Sequence, residues 1–361
     1  MTPRTDAPEG PSLRRLADAA EDRLGEHGLA LRDLGVLGPE DPAASHFVAA
    51  VERGFYETVP TGAALRQQLE AHAADGRRRL GVYAPGDDPA ARRPAATFED
   101  FVQPLTTWPG RTVDAWLITD VTVSPDARRR GVLRAMMLRS LADARDAGLC
   151  AAALTATEAA IYGRFGFGAA TRWHAVRIDV SGAPAFTGAP AGGRVTVEEP
   201  REIPGLVDEL YGRVLPATPG SVQRTSFSVP RWEDREASRN EGRGSGLYAA
   251  VHRDDDGRVQ GVALYRFEGW EKEPPTITVT AFLAATADAR RGLVHHLARL
   301  DLVERIEWGR APEPGWLEAL FVDERRVSRH RGSDDLYLRV LNLPAAMAAR
   351  GWAGDGEVVV A

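Results

Sequence analysis

The chain of 361 residues has one cysteine, Cys150, four methionines and, among 45 basic residues, a single lysine, Lys272. One cysteine excludes an internal disulfide framework and any metal centre built on clustered thiolates. No apolar run approaches the roughly 18 residues that a membrane span needs. The first residues, MTPRTDAPEGPSLRRLADAAEDR, contain no apolar core of a secretory leader. A cytoplasmic protein without a membrane partner is expected. An excess of positive charge is also missing: 45 basic residues stand against 51 acidic ones, a formal −6. Nucleic-acid binders carry a basic footprint, so that class is set aside, and the acidic balance suits a cationic small molecule. There is no Walker-type Gly-Lys-Ser/Thr, no Gly-x-Ser-x-Gly elbow and no histidine beside Cys150. His295 and His296 lack a carboxylate or cysteine partner at ligand spacing and read as partly exposed helix residues, so no metal is expected. The mixed-charge run 235–244 reads as a solvated loop.

The length calls for two domains at about 100–200 residues each. Residues 1–28 form a polar, Ala-rich extension, disordered or helical over 12–26. Helical periodicity runs through 46–56, 63–74 and 131–147, and strands are expected at 80–83, 97–105, 113–123 and 149–155. Residues 181–194, SGAPAFTGAPAGGR, have no periodicity and read as a linker. A second globular segment over 195–332 follows, with strands at 246–251, 261–267 and 276–284 and a helix at 293–304. Asp126-Ala127-Arg128-Arg129 and Asp288-Ala289-Arg290-Arg291 both follow a strand and precede a helix, which points to a duplicated fold. The second copy has one arginine fewer before its glycine, so it is expected to be worn and non-catalytic.

Residues 116–168 carry the chemistry. A β-branched strand passes through Ser124-Pro125 into Arg128-Arg129-Arg130-Gly131, which opens a long helix. The first amides of a helix have no internal partners and carry the positive end of its dipole. A glycine there lets a pyrophosphate approach the backbone, and arginines add charge. Taken alone, the tetrapeptide is better explained as a solvated basic turn. The next strand leads into Glu158-Ala159-Ala160-Ile161-Tyr162-Gly163-Arg164-Phe165-Gly166-Phe167-Gly168.

This arrangement resembles the Gcn5-related N-acetyltransferase (GNAT) superfamily. VSPDARRRGVLRAMM with ATEAAIYGRFGFG is similar to the Eis (enhanced intracellular survival) branch, where a leucine likewise follows R-R-R-G-x. The resemblance implies an α/β chain of tandem GNAT folds, each a mixed sheet flanked by helices: a catalytic domain over 29–180 and a degenerate one over 195–332. It also implies acetyl-CoA as acyl donor and a primary amine of an aminoglycoside, polyamine or lysine as acceptor, with a hexamer as the family's assembly. Val121 and Val123 would pair with the pantetheine arm through their backbone, and Arg128, Arg129, Gly131, Val132 and Leu133 would hold the pyrophosphate. Thr157 matches a serine near the cofactor, and Tyr162 matches the catalytic tyrosine. On residue type alone, Tyr162 is also an aromatic wedge beside Phe165 and Phe167. Glu158 is family-like and suits the dipole of the helix after it.

In that family a C-terminal carboxylate from a third, sterol-carrier-like domain reaches the centre. Residues 333–361 read as the start of such a domain, ending in GEVVVA with most of it missing. Asp120 is the nearest substitute base, and an edge carboxylate facing solvent or an arginine is its alternative. A non-catalytic acyl-CoA-binding remnant is the rival reading of the whole chain.

Overall fold

The computed structural model describes residues 12–156, 158–226, 246–311, 315–352 and 354. Thr157 and the runs 235–244 and 356–361 therefore lie outside the described residues. The first half runs α1 (Leu13–Glu26), β1 (Ala30–Val36), α2 (Pro42–Gly54), α3 (Gly62–Ala74), β2 (Arg78–Tyr83), β3 (Ala96–Trp108), β4 (Arg111–Val123), α4 (Val132–Asp146), β5 (Ala151–Thr155), α5 (Ala159–Tyr162), β6 (Gly168–Ala169) and β7 (Arg172–Asp179). The second runs β8 (Arg194–Glu198), α6 (Pro204–Val214), β9 (Leu247–Arg253), β10 (Val259–Phe267), β11 (Thr276–Ala284), α7 (Ala287–Leu297), β12 (Arg305–Ala311), β13 (Val327–Asp334), β14 (Leu336–Val340) and α8 (Leu343–Ala349).

These strands build two seven-stranded sheets, β1-β2-β3-β4-β5-β14-β6 and β8-β9-β10-β11-β12-β7-β13. Each has four antiparallel strands, then one parallel step (β4 to β5, β11 to β12), then two antiparallel strands. The duplication expected from the sequence is therefore present strand for strand. Its sixth place is exchanged: β14 crosses back into the first sheet, and β7 crosses forward into the second.

That exchange corrects the expected boundaries. Arg172–Asp179, inside the expected first domain, pairs with β12 and β13 in the second sheet. Residues 333–361 do not open a separate sterol-carrier-like domain over their described strand. Leu336–Val340 lies antiparallel to β5, with Leu336 and Tyr337 buried in the first half's cores. α8 then reaches the β3–β4 hairpin, where Thr107 Oγ1 donates to Ala349 O at 3.0 Å. The 181–194 segment is strapped down rather than a free linker: Phe186 bridges to Phe321, and Arg291 Nη1 donates to Ala189 O at 2.9 Å.

α1, part of the expected extension, buries Ala17, Ala20 and Leu24 in the core that it shares with α4. Arg14 ties the two helices through Asp143 (2.6 Å) and Asp146 (2.7 Å). The expected helix at 293–304 instead spans Ala287–Leu297, because Thr286 caps it seven residues before the apolar pattern begins. No helix among the described residues is long and apolar enough to cross a membrane.

Each sheet borrows a strand from the other half, so the two cores should unfold together. Leu141→Ala in the first core and Leu293→Ala in the second, both fully buried, should each lower one shared urea midpoint, at a cost of about 2–5 kcal/mol. Circular dichroism and tryptophan fluorescence should give coincident curves. Two transitions, each moved by only one of the variants, would show that the halves unfold independently.

Candidate active site

β4 and β5 stay in register only over Trp116–Ile118 and Ala152–Leu154, while β4 continues to Val123. Past Ile118 the strands splay apart. Between Thr97 and Glu99 the β3–β4 register slips by one residue, so Asp120 and Val121 together face Phe98. Asp120 takes a left-handed conformation there (φ 51°), as a bulge requires and an aspartate tolerates.

The turn after β4 is shaped for an anion. Arg129 (φ 63°) and Gly131 (φ 78°) are both left-handed, a geometry that gathers backbone amides into a concavity. No side chain among the described residues caps α4, so its first amides are left for a ligand. A cavity of about 820 Å³ runs from this turn through the splay. Val121, Val123, Arg128, Arg129, Gly131, Val132, Leu133 and Tyr162 all line it, so eight of the residues singled out in the sequence meet in one place.

Residues 43–170 and 220–340 each match a family described as an acetyltransferase (GNAT) domain. The chain is 33% identical over 340 residues to an uncharacterized N-acetyltransferase of Streptomyces griseus, covering 91% of this chain and 79% of that protein. It is 35% identical over 241 residues to the N-acetyltransferase Eis of Mycobacterium tuberculosis, covering 65% of this chain and 57% of that one. The crystal structure of Eis1 from Mycobacterium abscessus superposes with a TM-score of 0.72 at 28% identity, over 89% of this chain and 76% of that one. The chain belongs to the GNAT acyltransferases, in their Eis-like branch.

Only the first GNAT copy keeps the open helix start. In the second, Asp288-Ala289-Arg290-Arg291 lies inside α7, and Thr286 Oγ1 accepts from Ala289 N at 3.1 Å. The capping threonine takes the bond that an anion would need. Gly292 lies mid-helix and partly buried against the His252 ring, where a Cβ would come within 2.7 Å of Cδ2.

Phe55 and Tyr56 were not legible beforehand. They line the cavity at the end of α2, and Tyr56 is 89% exposed in a left-handed conformation (φ 61°). The sequence signal was the Gly54-Phe55-Tyr56 run: Gly54 packs on Thr122, and any Cβ there would sit 2.5 Å from its side chain. Glu158 also lines the cavity and makes no capping bond to α5. Burial first, and the Glu158 charge second, push the Tyr162 phenol up, so it keeps its proton at neutral pH.

Asp120 is the exception among the expected residues, since it does not line the cavity. Its carboxylate, 20% exposed, lies 3.7 Å from Arg77 Nη1 at the edge of a buried ionic cluster. The Glu99 carboxylate accepts from Arg79 Nε (2.8 Å) and Arg77 Nη1 (3.3 Å), and lies 3.3 Å from His72 Nδ1. Burial alone would raise Glu99, but His72, Arg79 and Arg77 outweigh it and hold it below the usual carboxylate range. Asp120 is pushed well above that range by burial and by the Glu99 charge. These two carboxyls therefore share the arginines unequally: Glu99 stays ionised and Asp120 takes a proton first.

A carboxyl raised on folding binds more protons folded than unfolded, so stability falls as pH rises from its unfolded value through its folded one. Asp120→Asn removes that loss. Its urea midpoint should gain on the wild type as pH rises from about 4, the ordinary carboxylate value, into the neutral range. A difference that stays flat with pH would contradict the raised carboxyl.

Proposed function

We propose that the chain moves an acetyl group from acetyl-CoA to a primary amine of a cationic acceptor, an aminoglycoside, polyamine or lysine, by direct attack in a ternary complex. The observation that carries this reading is the uncapped, glycine-opened start of α4 in one cavity with Tyr162 and the unpaired edge of β4. Bound acetyl-CoA supplies an acyl thioester. Arg128, Arg129 and the amides of Gly131, Val132 and Leu133 hold its pyrophosphate, and the main chain of Val121 and Val123 takes the pantetheine arm as an added strand. Thr157 stays a candidate contact to the cofactor.

At the acceptor end, Tyr56 offers an exposed ring face that attracts a cation, and Glu158 adds negative charge to the lining. Asp120 takes the amine's proton. Its raised proton affinity supports that role, because a base works best with a pKa near the working pH. The bulge sets Asp120 one residue before Val121, and a bridging water spans the distance to the acceptor. Tyr162 donates a hydrogen bond to the departing sulfur. Its phenol is a weaker acid than a free thiol of pKa about 8.5, so it stabilises developing charge rather than driving full proton transfer.

Thiol release from acetyl-CoA, measured with a panel of aminoglycosides, polyamines and lysine peptides, tests the reading. Turnover should fall about 10²-fold in Tyr162→Phe, and Arg128→Ala should raise KM for acetyl-CoA by about tenfold. The acid limb of kcat/KM should follow Asp120, and Glu99→Gln should move it to lower pH by removing a like charge. Acetyl-CoA binding without turnover on any acceptor would leave the non-catalytic acyl-CoA-binding reading instead.

A further inference from the structure

The second half contains a cavity that the acetyltransferase reading does not use. In the first sheet the segment before β1 is α1, which lies along α4. The counterpart segment before β8 forms no helix; it crosses α7 as Pro190-Ala191-Gly192-Gly193, with little side-chain bulk. A cavity of about 400 Å³ remains beneath it, within the range of small-molecule sites.

The walls of this cavity are fixed. Arg291 Nη1 donates to Thr187 O (3.3 Å) and Ala189 O (2.9 Å). His252 Nε2 donates to Gly192 O (2.8 Å). Gly193 is left-handed (φ 79°), and a Cβ there would lie 2.2 Å from Arg253 O, so the strand edge and the strap can approach this closely only at glycine.

Its polar lining is unsatisfied and of one kind. His252 is 1% exposed, and its Nδ1 has no hydrogen-bond partner among the described residues. The Nε2 atoms of His295 and His296 are likewise buried without partners. Buried polar atoms in folded proteins are nearly always paired, so three such atoms around one cavity call for an explanation. Arg194 and Arg299 complete the lining, and no carboxylate among the described residues joins it. Asp288 stands outside, its Oδ2 3.7 Å from where a side chain on Gly192 would be.

We propose that this cavity is a binding site for a small oxyanion, a phosphate or carboxylate group, held by Arg194, Arg299 and the ring N–H groups of His295 and His296, with His252 in the wall beside it. A metal ion fits the arrangement poorly. The three ring nitrogens do not converge to ligand distance, since the one such grouping among the described residues is His72, Glu99 and Asp120, and two arginines would repel a cation. An oxyanion instead accepts from arginine and from imidazole N–H donors. Burial lowers the pKa of both His295 and His296, and Arg299 and Arg291 lower His295 further, which is the environment an added negative charge would relieve.

The test is a titration of the full chain with inorganic phosphate, following the ring signals of its eight histidines by NMR, with sodium chloride at matched ionic strength as control. The expected result is saturable movement of the His252, His295 and His296 signals with phosphate and not with chloride. Arg299→Ala and His295→Gln, each on a partly exposed or exposed position, should weaken binding by roughly tenfold or more. The pyrophosphate turn at Arg128 is read separately, because no histidine lines that cavity. Three results would each overturn the site: no saturable movement, the same movement with chloride, or unweakened binding in both variants. Movement with zinc ion but not with phosphate would also overturn it.

Discussion

A parallel pair of strands that separates after three paired residues leaves the longer strand with backbone groups facing open space. Buried amides and carbonyls need partners, so β4 beyond Ile118 must be completed by something other than β5. The bulge at Asp120 and Val121 makes the divergence steep, and the left-handed turn at Arg129 and Gly131 brings the uncapped end of α4 beside the gap. Each part of the site follows from that single opening. The cavity is lined both by the end of α2 and by the start of α4, and it therefore joins the uncapped helix start to the aromatic pair Phe55 and Tyr56.

The same β2–β3 pair carries ionic clusters on both faces. Side chains alternate along a strand, so Arg78 and Asp100 turn toward α4, where two guanidinium nitrogens grip the carboxylate at 2.8 Å each. Arg77, Arg79 and Glu99 turn toward α2 and α3. Such pairs are weak sources of net stability, because desolvation offsets attraction. Their effect is positional. With Glu99 locked as an anion, the charge on Asp120 becomes costly, and the bulge residue acquires a proton affinity that its residue type alone does not have.

The turn before α4 and its place in the cavity were largely legible because helix starts, glycines and arginines act locally, within a few residues of chain. The Asp120 environment was not, since it depends on Glu99 and Arg77 brought together across three strands from separations of about twenty and forty residues. Phe55 and Tyr56 were hidden for a related reason: their exposure is set by how Gly54 packs on Thr122. The repeat was visible in two short arginine runs, yet the strands that close each sheet were not. Arg172–Asp179 and Leu336–Val340 have ordinary β patterns, and nothing local says which of two equivalent sheets a strand joins.

The exchange of β7 and β14 bears on how the chain came to keep two copies. A duplicated unit whose helix start is closed by a side-chain cap is normally free to diverge from the other. Here the first sheet holds a strand, β14, that can be placed only by passing through the second copy, and the second sheet is built around β7 from the first. Deleting the second copy would remove a structural member of the first. Selection acting on the first copy alone is thus enough to preserve the second, and surfaces on that second copy stay available to acquire new uses.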